Sequence, residues 1–205
     1  MKIIHRWTWP LFGGLLIALA VLLWLSPAEQ TLGQAVKLVY LHGTLVRTAM
    51  LIFAASLPIN LLALVRRQRN WAAWGKAFVW GAVTIWLAHT VFSMVTTYVT
   101  WGIAIAWFEP RTRFTFAVAG ASVIFVAIAH FMKNARFSSL SFVVLSGLIL
   151  SLLPRLGIIQ HPLDPIGTST SSAIRAFYAA ILAITLILGG LLITWFQNKL
   201  PPEPD

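Results

Sequence analysis

Cysteine is absent from the 205-residue chain. Disulfides, thiol redox chemistry and Cys-ligated metal are therefore excluded. Acidic residues are nearly as scarce: Asp and Glu together number five, and Glu203 and Asp205 lie at the very end. Little is left for acid–base work. No Ser/His/Asp grouping, paired carboxylates, phosphate loop or metal-binding spacing is visible, so catalysis is not expected. Charged residues of all kinds make up 10% of the chain, against about 25% in a soluble globular domain. A water-soluble fold of this size would lack its solvated surface.

What the chain does have is apolar: 59% of its residues, gathered in blocks of roughly the twenty needed to cross about 30 Å of hydrocarbon. Six blocks stand out, near 8–25, 44–65, 77–99, 113–132, 138–154 and 174–196. These predict an all-α integral membrane bundle of about six transmembrane helices. It forms one domain over residues 1–199, followed by a disordered Pro-rich cytoplasmic tail at 200–205. The basic N-terminal flank and the run from Trp7 to Leu25 read as a retained first helix, because the run is long enough to span. Pro58 falls inside the second block and predicts a kink there.

The net charge of +10 raises nucleic acid as a partner. Its placement in short loops beside apolar spans, without an aromatic-interleaved basic surface, argues for topology instead. One set of connections holds nine basic residues: Lys2, Arg6, Arg66, Arg67, Arg69, Lys76, Lys133, Arg136 and Lys199. The other holds six, namely Lys37, Arg47, Arg111, Arg113, Arg155 and Arg175, together with Glu29, Glu109 and Asp164. The first set is denser, which predicts both termini on the cytoplasmic side of the plasma (inner) membrane. The longer connections, near 26–43, 100–112 and 155–173, then share the outer face, where loops on a rigid scaffold carry function.

Histidines are few enough to weigh singly. His42, at the mouth of the second helix, and His161, in the last outer loop, are expected at one face and similar depth. Two neutral imidazoles on opposite sides of a macrocycle can hold haem iron; two unconnected interfacial histidines are the plainer reading. His89 is expected mid-span in the third helix, where an ionisable group is a functional candidate or simply bonds a neighbouring hydroxyl. Pairing it with His130 in a membrane-embedded b-type cytochrome meets a depth mismatch of about 12–15 Å. His5 belongs to the basic flank. The second outer loop, from Thr100 to Arg113, is aromatic with a charged end, Glu109, Arg111 and Arg113. It offers Trp faces to a flat ligand and guanidinium groups to carboxylates, or it is an ordinary interfacial aromatic belt.

Three stretches together resemble the CcmC-type haem-handling proteins of cytochrome c assembly. Ser26-Pro27-Ala28-Glu29 to Gln34, running into Lys37-Leu38-Val39-Tyr40-Leu41-His42, is similar to that family's first outer segment. Trp101-Gly102 … Trp107-Phe108-Glu109-Pro110-Arg111 resembles its tryptophan-rich motif between the third and fourth helices. His161 and Ser171-Ser172-Ala173-Ile174-Arg175 match the order of its last outer loop and sixth helix. Gly43-Thr44 stands where the family has Val-Pro, and the tryptophan motif is thinner. The resemblance implies non-covalent, b-type haem held at the outer face by His42 and His161. Trp101, Gly102, Trp107, Glu109 and Arg111 would form the platform. It also implies partners in cytochrome c maturation, a haem chaperone and ABC-type subunits. A structural assembly subunit that has lost haem transfer is the alternative that the thinned motif favours. A transporter is weaker still, since no matching pair of Gly/Pro-broken helices occurs.

Overall fold

The structure, a computed structural model, describes residues 2–66, 68–159, 166 and 169–201, with side chains from Thr8 onward. Six helices make up most of this: α1 (Lys2–Leu25), α2 (Val36–Arg66), α3 (Arg69–Trp101), α4 (Pro110–Met132), α5 (Ala135–Leu152) and α6 (Ser172–Lys199). A 3-10 turn, Leu153–Arg155, continues α5. Each helix carries a stretch long and apolar enough to cross a membrane. The chain is thus an all-α, multi-pass bundle, as its apolar blocks predict. Its outward surface is apolar too, with Ile17, Val91 and Phe131 exposed; such a surface suits lipid and not water.

Local chemistry sets the helix ends. Gly102 takes the left-handed conformation (φ 75°) and its N–H closes α3 on the Tyr98 carbonyl. Pro110 opens α4, where its missing N–H costs nothing. Asn134 and Ser171 cap α5 and α6 by accepting the N–H groups of Phe137 and Ile174. Between α1 and α2, the Glu29 carboxylate accepts the N–H groups of Thr31 and Leu32, tying a tight turn. These backbone N–H groups, Leu32 foremost, hold the Glu29 carboxyl below the usual carboxylate range.

The helices extend well past the apolar blocks. α2 runs through Pro58 and starts at Val36 where the pattern suggested 44; α3 starts at Arg69 where it suggested 77. Hydropathy marks the hydrocarbon slab, whereas backbone hydrogen bonding carries a helix on into the polar flank. At 1.5 Å per residue, α2 and α3 are about 46 and 50 Å long, against about 35 Å for α4. The α1–α2, α3–α4 and α5–α6 connections share one end of the bundle, here called the long-loop end.

Below that end the bundle is closely packed. Glycines let helices approach: a Cβ on Gly189 would meet Ile52 at 2.9 Å and Ile85 at 3.1 Å, and one on Gly81 would meet Ile193 at 2.8 Å. Hydroxyl pairs bridge helices where apolar packing alone gives no hydrogen bond. Thr48 pairs with Thr185 and Ser56 with Ser146, each at 2.9 Å. Trp86, Phe53 and Phe142 fill the centre. α1 packs at the periphery, with Trp9 edge-on to Trp195 of α6.

Candidate functional site

A cavity of about 300 Å³ opens at the long-loop end. α2 supplies Val39, His42, Gly43, Val46 and Arg47 to its wall, residues that recur at helical spacing on one face. α3 faces them with Trp86, His89, Ser93, Thr97 and Thr100, again three or four apart. α4 adds Arg111, Thr112 and Thr115, and Tyr178 enters from α6.

His89 lies twenty residues beyond Arg69, about 30 Å along α3. His42 lies twenty-four residues from the other end of α2, about 36 Å. The two therefore meet: their rings stack at 4.6 Å between centroids, 29° from parallel. His89 Nδ1 donates to the His42 carbonyl at 3.3 Å. Trp86 borders His89 edge-on at 5.3 Å, and its indole N–H donates to the Thr115 carbonyl at 3.0 Å. His130, exposed near the end of α4, sits about 3 Å along the axis from the short-loop end.

Gly43 has a packing reason. A Cβ there would come within 3.3 Å of the Tyr178 hydroxyl. Tyr178 in turn carries the Arg47 guanidinium over its ring at 5.2 Å. The Thr44 hydroxyl donates to the Leu41 carbonyl at 3.0 Å.

The aromatic loop divides. Trp101 and Arg111 line the cavity. Gly102 is an exposed helix cap, and Trp107 is exposed and packs on Phe116 at 5.1 Å, away from the cavity. Glu109 is 1% exposed and does not line the cavity; its carboxylate accepts the Ile159 N–H at 3.1 Å. It joins the aromatic loop to the chain following the 3-10 turn. His161 lies outside the described residues; Leu153 and Ile166, on either side of it in sequence, both line the cavity.

The donor set can be tested against haem. Arg111 Nε is buried and has no hydrogen-bond partner among the described residues. A buried unmade hydrogen bond costs about 1–3 kcal/mol, and a carboxylate entering the cavity would relieve it. Trp86 and Trp101 supply aromatic surface, and Arg47 a second cation. Among the described residues no three His, Cys, Asp or Glu cluster as metal ligands. A metal that brings its own equatorial nitrogens needs only imidazoles from the protein. The residues fit haem on these counts.

Sequence reasoning did not see the hydroxyl face of α3. The signal was present: Ser93, Thr96, Thr97 and Thr100 follow His89 at helical spacing. No family model matches the sequence, and no curated protein matches it significantly.

Proposed function

We propose that this protein holds haem in the cavity at the long-loop end and hands it on during c-type cytochrome maturation, with no chemistry on a substrate. The observation that carries the reading is a stacked imidazole pair in a cavity with aromatic walls and a buried, unsatisfied Arg111 Nε. A flat, apolar ring bearing carboxylates answers all three features. The resemblance to CcmC-type proteins nominates His42 and His161 as axial ligands, and Ile166, five residues beyond His161, borders the cavity.

With the termini cytoplasmic, the cavity faces outward, where a haem chaperone and ABC-type subunits would be the receiving and coupling partners. Haem supplies the iron and the macrocycle. The chain's own residues orient the ring, pair its carboxylates and exclude water. Burying the ring against Trp86, Trp101, Val39 and Val46 contributes several kcal/mol at roughly 25 cal/mol per Å² of apolar area. Handing haem on requires that this affinity stay moderate.

The test is a visible spectrum of the purified protein with and without haemin, compared with a His42→Ala/His161→Ala double variant. A low-spin band in the parent that is lost in the double variant is expected. A double variant that keeps the full low-spin signal defeats the ligand assignment.

A further inference from the structure

We infer that Glu109 is a positioning residue: its buried carboxylate sets the spacing between two connections that border the cavity, and with it the placement of Arg111. The inference goes beyond the haem-holding reading, because it concerns the cavity's walls and not their occupant. A carboxylate taken out of water is costly unless it is well hydrogen-bonded. Glu109 is 1% exposed and stands outside the cavity lining, so its burial serves something other than ligand contact. Its Oε2 accepts the Ile159 N–H at 3.1 Å, with Oε1 at 3.4 Å from the same nitrogen. A charged acceptor puts this bond in the stronger class.

The bond joins two segments that are far apart in sequence. The α3–α4 connection brings Trp101 and Arg111 to the cavity, and the chain after α5 brings Leu153 and Ile166. Glu109 belongs to the first segment and Ile159 to the second. The Glu109 backbone is fixed as well. Its N–H donates to the carbonyl of fully buried Ala106 at 2.9 Å, and its carbonyl accepts the Arg113 N–H at 3.2 Å. One residue thus ends the aromatic loop, starts α4 and holds the chain that follows the 3-10 turn. Pro110 comes next with its φ locked by the ring, so the first turn of α4 follows the setting of Glu109. Arg111 lies in that turn. Without the carboxylate the two connections are free to separate, and Arg111 is held less tightly at the cavity.

The chain has no cysteine of its own, so spin labels can be placed at chosen sites alone. Ile103→Cys and Ile158→Cys put one label on an exposed position of each connection. Pulsed EPR on the full chain in nanodiscs then reads the distance between the connections. With Glu109 in place, one narrow distance is expected. Glu109→Ala is expected to broaden and lengthen it, raising the share of chains outside the narrow peak about tenfold or more. Glu109→Gln keeps an oxygen that accepts the Ile159 N–H, and it is expected to keep the narrow distance. Ile159→Pro removes the donor at an exposed position; it is expected to broaden the distance as Glu109→Ala does, and it carries the test if Glu109→Ala fails to fold. The inference is overturned if Ile159→Pro or a folded Glu109→Ala keeps the narrow distance, or if Glu109→Gln is as broad as Glu109→Ala. Haemin uptake is read on the same samples. A chain with Glu109 in place that takes up no haemin overturns the haem reading, while the distances still decide the role of Glu109.

Discussion

Replacing Arg111 with Leu should separate ligand affinity from stability, because the structure gives the two effects opposite signs. Arg111 Nε is buried without a hydrogen-bond partner among the described residues, and Arg111 borders the cavity. In the ligand-free protein, removing an unsatisfied donor and filling its place with an apolar side chain is neutral or favourable. Thermal stability should therefore hold or rise slightly. With haemin bound, the same nitrogen would pair with a propionate, and a hydrogen bond to a charged group contributes about 1.5–3 kcal/mol. At 1.4 kcal/mol per factor of ten, the loss corresponds to roughly 10- to 150-fold in Kd. Absorbance titration with haemin gives the affinity, and a melting curve without ligand gives the stability. Haemin dimethyl ester supplies the complementary change: it should bind the parent about as weakly as haemin binds Arg111→Leu, and Arg111→Leu should not discriminate between the two. The reasoning fails if Arg111→Leu binds haemin as tightly as the parent, or if it melts well below the parent.

Two further outcomes follow from the fold and the connection. Gly189→Val places a branched side chain where Ile52, Ile85 and Thr48 already stand within 3.3 Å, and overpacking of that kind costs about 1–3 kcal/mol. Gly190→Val, beside it with nothing within 4 Å, is the control, and equal losses in the two variants would contradict the packing described. In the α1–α2 turn, Glu29 has its folded-state pKa lowered by the N–H groups of Leu32 and Thr31. Its stabilising contribution is therefore present above the ordinary carboxylate value of 4.5 and is lost as pH falls through the folded value. Thermal melts of Glu29→Gln should lack that acid-side increment; a parent and variant with parallel pH profiles below 4.5 would refute it.

The helices could be read from the sequence because a bilayer imposes length and apolarity on every spanning segment. Their ends could not, for the same reason: the residues from Arg69 to Lys76, with Arg69, Asn70 and Lys76 among them, precede the apolar block but remain helical. The linear motif around Trp101 read as one platform, yet side-chain direction splits it. Trp101 ends a helix facing the cavity, Gly102 reverses the chain, and Trp107 emerges on the outer side of α4. Glu109 is buried and accepts the Ile159 N–H. Only Arg111 and Trp101 from that stretch reach the site. The stacking of His42 on His89 depends on the register of α2 against α3, which no local pattern encodes.

The most direct measurement of the central claim is an absorbance titration of the purified parent protein with haemin in nanodiscs. A single saturable site with one haemin per chain and a low-spin spectrum is the predicted result. Uptake that rises without saturation, as haemin partitioning into lipid would give, contradicts the account and leaves the cavity without its proposed occupant.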